Sequence, residues 1–130
     1  MSDTKPLVVI GAGPGGYAAA FLAADLGVSV TLIDPDPNPG GVCLYRGCIP
    51  SKALLHVAKV IHEAHDAKDW GVTFAAPKID PKKVTSWKDD VVAATTGGLG
   101  QLVKSRKIEY IQGKARFIDA HTLEEKRVSG

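Results

Sequence analysis

Leu7-Val8-Val9-Ile10-Gly11-Ala12-Gly13-Pro14-Gly15-Gly16-Tyr17 decides the fold of this 130-residue chain. A short apolar run that stops at glycine suits a strand buried on both faces of a parallel sheet. Gly11 to Gly16 forms the turn. The Ala-rich stretch from Tyr17 to Leu26 predicts a helix, with Gly27 in the position just past its end. Val28 to Ile33 is expected as a second strand, ending on Asp34. These pieces make a β-α-β unit of about 30 residues.

Gly11, Gly13 and Gly16 satisfy G-x-G-x-x-G, a weak pattern when it stands alone. Here it lies between a strand and a helix, and Asp34 follows at about the 20-residue distance that a ribose-binding acid takes. The first glycine permits the turn, the second lets the main chain approach a pyrophosphate, and the third lets helix and strand pack closely. Free N–H groups at the helix start would then meet the phosphates. The competing explanation is a glycine-rich turn with an ordinary surface Asp34.

Further along, Pro35 to Gly41 has loop composition. A helix is expected from near Ser51 to about Ala67, with Leu54, Leu55, Ala58, Ile61 and Ala64 on one face, and Ser51 is a candidate cap for its start. Trp70 to Phe74 reads as a short extended piece. Another helix should begin at Pro81 and run to about Arg106, weakened or bent at Thr96-Gly97-Gly98. Ile108 to Ile111 reads as a strand ending before Gly113, and Ala115–Ile118 and Thr122–Glu124 as a hairpin.

Composition bounds the function. Apolar residues make up 45% and charged residues 23%, as in a globular protein of one domain. The net charge of +2 gives no ground for nucleic acid or an anionic membrane as partner. No run approaches the ~18 apolar residues of a membrane span. Met1 to Pro6 is short and polar, unlike a secretory leader, so a cytoplasmic location is expected.

In a reducing compartment two cysteines are seldom a structural staple. They are inert buried thiols, half of a metal site, or a redox couple. Cys43 and Cys48 are five positions apart, which is neither a zinc-ribbon nor a C-x-x-C spacing. With only His56 near them, a structural zinc site lacks ligands, and no metal is expected. His62 and His65, three apart, do not form H-E-x-x-H. In a regular helix residues five apart have Cα atoms about 8–9 Å apart. A disulfide needs about 7 Å or less. Gly47 between the cysteines and Pro50 beyond them favour an irregular backbone in which the bond becomes feasible. A short-loop disulfide contributes little entropic stabilisation and is easily reduced and reoxidised. Inert, unlinked thiols remain the alternative.

The stretch Gly40-Gly41-Val42-Cys43-Leu44-Tyr45-Arg46-Gly47-Cys48-Ile49-Pro50-Ser51-Lys52-Ala53-Leu54-Leu55-His56 resembles the active-site segment of the flavin-dependent pyridine nucleotide–disulfide oxidoreductases. Within that family it is most similar to the dihydrolipoamide dehydrogenase branch, and the resemblance runs from Leu7 to about Glu124. It implies a Rossmann-like α/β FAD-binding domain with a parallel sheet, incomplete at its C-terminal end. Residues 1–130 would be the N-terminal portion of that domain, with the NAD-binding and dimerisation domains absent from the chain.

By the same resemblance, Gly11, Ala12, Gly13, Pro14, Gly15 and Gly16 belong to the FAD pyrophosphate loop. Asp34 matches the ribose-binding acid, where relatives generally carry Glu. Gly40, Gly41 and Val42 lie along the FAD. Cys43 matches the thiol that exchanges with a dithiol substrate, and Cys48 the thiol facing the flavin. Lys52 matches a lysine near the flavin ring; otherwise it is a solvated helix residue. Gly113 and Ala115 match a main-chain segment at the adenine end. Tyr45 and Arg46 depart from the family pattern of a small polar residue followed by an apolar one, and carry no assigned role.

The implied activity oxidises dihydrolipoamide with NAD+ through the cysteine pair and FAD. The implied partners are the lipoyl-carrier domain of a 2-oxoacid dehydrogenase or glycine cleavage complex and a second copy of the enzyme. The NAD site and the catalytic base of such an enzyme have no counterpart here, so weak FAD binding and no dehydrogenase turnover are expected of this chain alone. The rivals are a glutathione- or mercuric-reductase-type enzyme and a non-catalytic FAD-binding module.

Overall fold

The computed structural model describes residues 6–128; the polar start, Met1–Lys5, and the closing Ser129-Gly130 lie outside them. The chain builds a four-stranded sheet in the order β1 (Leu7–Ile10), β2 (Val30–Asp34), β3 (Glu109–Phe117), β4 (Leu123–Arg127). β1 and β3 flank β2 in parallel register, with Ile10 opposite Ile33 and Asp34 opposite Gln112. β4 returns antiparallel to β3. The architecture is the expected α/β one with a mostly parallel sheet.

Helix α1 (Pro14–Asp25) links β1 to β2. Pro14 stands at its first position, where a missing N–H costs nothing. Gly27, at φ +84°, ends it in the left-handed conformation that glycine adopts freely. The core lies where α1 and the end of α4 (Pro81–Ser105) meet β2: Ala12, Ala20, Val30, Leu32, Val103 and Ile108 are buried together. Leu32 is fully enclosed. Arg106 joins the two helix ends, its Nε 2.9 Å from Asp25 Oδ1 and its guanidinium over the Phe21 ring.

Between β2 and α4 lie α2 (Gly41–Arg46), α3 (Cys48–Asp66) and a 3-10 turn, Ala67–Trp70. The Asp80 side chain caps α4 by accepting the Lys82 and Lys83 N–H groups at 3.0 and 3.1 Å.

Several expectations are corrected. β1 is not buried on both faces: Leu7, Val8 and Ile10 are 39–45% exposed, because β1 is an outer strand of the described sheet. The second strand begins at Val30 rather than Val28. Trp70–Phe74 forms no strand; it leaves the 3-10 turn through Gly71 at φ +85°. α4 is unbroken through Thr96-Gly97-Gly98, since its hydrogen-bonded ladder tolerates the two glycines. The buried face of α3 is Ala53, with Val57, Ile61 and Ala64 partly covered, whereas Leu54 and Leu55 are exposed. α3 packs on α4 by one narrow stripe, and its apolar content exceeds that contact. β3 continues through Gly113, and the predicted hairpin forms with Phe117 opposite Leu123.

Candidate active site at the cysteine pair and glycine loop

The glycine loop opens at the carboxyl ends of β1 and β2, the edge where open α/β sheets bind ligands. Gly11 N–H donates to the Ile33 carbonyl at 2.8 Å, tying the turn to β2. A methyl group on Gly16 would fall inside the radius of the Gly11 carbonyl oxygen, so α1 can begin this close to β1 only with glycine there. Gly13 caps α1 without a side chain. The N–H groups of the first helical turn, which have no intrahelical acceptors, are thereby left for an anion.

α2 starts against this loop. Gly40 N–H donates to the Ala12 carbonyl at 2.8 Å. Gly41 sits at φ +59°, and a Cβ there would lie 2.6 Å from the Gly13 Cα. Gly41 thus lets α2 begin against the Gly13 backbone, an approach that a side chain at position 41 would block. Val42, next to them, is exposed.

Asp34 is buried, and both its oxygens are engaged: Oδ2 accepts the Ala12 N–H at 2.7 Å and Oδ1 the Asp36 N–H at 2.9 Å. Each carboxylate oxygen accepts more than one hydrogen bond, so capacity remains for a ribose hydroxyl. The acid therefore braces the protein's own loop, a role that the sequence reading did not assign to it.

The cysteines lie on either side of a helix break. Gly47, at φ −129° and ψ −107°, separates α2 from α3. The irregular backbone expected for this segment is present as a break between two helices, and the helix expected from near Ser51 already begins at Cys48. α2 itself was missing from the sequence reading. Ser51 does not cap α3: its hydroxyl donates to the Gly47 carbonyl at 2.7 Å, one turn inside the helix.

Cys43 is half-buried in α2, and Cys48 is exposed at the first position of α3; both are free thiols. The Cys43 thiol is pushed above its ordinary range, first by hydrogen bonding with the Cys48 side chain, then by burial and the Cys48 charge. The Lys52 ammonium pulls weakly the other way. Lys52 itself is exposed on α3, one turn beyond Cys48. Among the described residues no cluster of three His, Cys, Asp or Glu side chains could hold a metal. His56 faces Trp87 instead, their ring centroids 6.4 Å apart.

Gly113 and Ala115 lie on β3, just beyond Gln112, the register partner of Asp34. A Cβ at Gly113 would come 2.7 Å from the Lys126 carbonyl oxygen, so the pairing of β4 alone accounts for this glycine.

The family description "Pyridine nucleotide-disulphide oxidoreductase" matches residues 5–129. The chain belongs to that family. Its relatives include the dihydrolipoyl dehydrogenase of Haemophilus influenzae, 52% identical over 117 residues, which are 90% of this chain and 24% of that protein. The dihydrolipoyl dehydrogenase of Vibrio cholerae is 50% identical over 118 residues, 91% of this chain and 25% of its own length. That of Halobacterium salinarum is 45% identical over 123 residues, 95% and 26% respectively. The chain therefore spans about a quarter of the length of these relatives. Among the described residues no helix is long and apolar enough to cross a membrane.

Tyr110, Asp36, Asn38 and Gly100 were missed by the sequence reading. The Tyr110 hydroxyl donates to the Asp36 carbonyl at 2.8 Å, and burial, with Asp34 nearby, drives its phenol well above the usual range. A main-chain acceptor brought close by folding leaves no pattern in the sequence.

Proposed function

We propose that this chain is the flavin-binding, cysteine-bearing part of a dihydrolipoyl dehydrogenase-type enzyme, acting on dihydrolipoamide with NAD+ as final acceptor. The observation that carries the reading is the break at Gly47, which puts Cys43 of α2 beside Cys48 of α3 in a segment that starts against the glycine loop. A redox pair needs its two sulfurs in reach of each other and of an electron acceptor; inert core thiols need neither.

In this reading the pair begins oxidised. A thiolate of the dithiol substrate attacks Cys43 Sγ, a mixed disulfide forms, and the Cys43–Cys48 bond breaks to release Cys48 as thiolate. The second substrate thiol then attacks the substrate sulfur of the mixed disulfide, which closes the substrate's own disulfide and breaks the bond to Cys43. Substrate loses two electrons and two protons; the cysteine pair gains both electrons, Cys43 takes one proton and solvent the other. Cys43, half-buried in α2, serves the exchange. Cys48, exposed at the positive end of α3, serves the acceptor side. Lys52 supplies a positive charge beside them. FAD, when bound, supplies a two-electron acceptor. The residues present fit its adenosine diphosphate half: glycine loop, helix start and Asp34.

NAD+, a partner subunit, a lipoyl-carrier domain and a cytoplasmic setting belong to the same proposal and rest on the relatives' names and the family resemblance. The test is stoichiometric oxidation of dihydrolipoamide by the FAD-saturated protein, compared with glutathione. Oxidation of dihydrolipoamide that is abolished by Cys43→Ser supports the reading. Reaction with glutathione alone contradicts it.

A further inference from the structure

Tyr45 and Arg46, the two departures from the family pattern, both grip the loop between β2 and α2. Arg46 forks onto Asp36, with Nη2 2.7 Å from Oδ1 and Nη1 3.1 Å from Oδ2. The Tyr45 hydroxyl stands 3.2 Å from the Asn38 carbonyl oxygen, to which it donates, and 3.2 Å from the Asn38 N–H, from which it accepts. Both partners lie between Asp34, the acid at the end of β2, and Gly40 at the start of α2.

The same loop is held from its other side. Tyr110 donates to the Asp36 carbonyl at 2.8 Å, and Gln112 Nε2 to the Pro35 carbonyl at 3.2 Å. The Asn38 side chain fills the space over Gly100, which leaves no room for a Cβ on α4. Asp36 N–H in turn donates to Asp34 Oδ1. The chain of contacts therefore runs from Arg46 through Asp36 to Asp34, and from there to Ala12 in the glycine loop.

Global stability is a poor explanation for the Arg46 contact, because that side chain is 59% exposed and such pairs contribute little. What the contacts do is restrict one short loop that already carries three prolines, Pro35, Pro37 and Pro39. A loop fixed before a ligand arrives does not have to be ordered by it, and affinity rises accordingly.

We infer that Tyr45 and Arg46 are positioning residues that pre-set the 35–40 loop, and with it Asp34, for the adenosine diphosphate half of the flavin cofactor. This rests on the flavin reading above. They also tie that loop to the helix carrying Cys43, so the six-residue α2 links the 35–40 loop to the first cysteine of the pair.

The experiment is a calorimetric titration of the whole protein with ADP and with FAD, for the parent, Tyr45→Phe, Arg46→Met and the double variant, with thermal melts of each ligand-free form. The expected result is a loss of affinity of about threefold to fivefold per single variant, equal for ADP and FAD and larger in the double variant, with melts nearly unchanged. Arg46→Asp should be rescued by Asp36→Arg. Unchanged ADP affinity in variants of a protein that does bind FAD overturns the clamp alone. Losses that merely follow a lowered melting temperature overturn it too. A parent protein that binds neither ligand overturns the flavin reading, and the clamp with it.

Discussion

Asp34 and Ala12, 22 positions apart in the chain, are joined by a 2.7 Å hydrogen bond from the Ala12 N–H to the buried carboxylate. The second carboxylate oxygen accepts the Asp36 N–H, so one side chain fixes both the glycine loop and the loop after β2. The acid at the end of β2 ties the two loops together in the ligand-free protein.

Removing that acid should therefore destabilise the ligand-free protein. Asp34→Ala leaves the buried Ala12 N–H and the part-buried Asp36 N–H without an acceptor, and a loss of about 1–3 kcal/mol is expected in urea denaturation. Asp34→Asn, which keeps one acceptor, should lose about half as much. Parent-like stability of both variants without flavin would mean that the acid acts on ligand alone.

The glycine loop offers a matched pair. Gly16→Ala places a methyl group against the backbone of Gly11, where neither side can yield, whereas a Cβ at Gly15 meets nothing within 4 Å. Gly16→Ala should cost about 3 kcal/mol or more, and Gly15→Ala should stay within about 0.5 kcal/mol of the parent. Chemical denaturation of the two variants side by side is the check. Equal effects would contradict the close approach of α1 to β1.

Gly97 and Gly98 lie within α4 with open space around both. Alanine at either position should stabilise the protein by about 0.5–1 kcal/mol, since glycine loses more backbone freedom in a helix. A fall in melting temperature for both would argue for a functional bend that the structure does not contain.

The Cys43 thiol should ionise above the range of a free cysteine. A raised value in the folded state means that the associated stability is fully present below the ordinary thiol range. It is lost as pH rises through the folded value. Alkylation of Cys43, followed by mass spectrometry against pH, should thus reach its plateau later than a model thiol. Cys48→Ala removes the largest cause and should move the profile to lower pH. A plateau at or below the model thiol would contradict the pairing of the two side chains.

Much of this was legible in the sequence because it rests on local geometry. G-x-G-x-x-G after Leu7–Ile10 demanded a tight turn and a helix, and α1 starts at Pro14 inside the motif. Cys43 and Cys48 demanded an irregular backbone, and Gly47 supplies the break. The six residues of α2 were too few to show a period, and only Leu44 of them is buried. The buried face of α3 escapes the sequence pattern because Leu54 and Leu55 are apolar yet exposed. Gly113 was read as a strand end, although β4 pairs across it and requires glycine for that contact. The grip of Tyr45, Arg46 and Tyr110 on the 35–40 loop depends on atoms that come together only in the fold.

The account as a whole depends on a flavin lying against Cys48. The most direct test is to titrate the protein with FAD, reduce it with excess dithiol and record the visible spectrum. Saturable flavin binding is predicted, with a long-wavelength band that appears on reduction, survives Cys43→Ser and disappears in Cys48→Ser. Absence of flavin binding, or a band indifferent to Cys48→Ser, would contradict it.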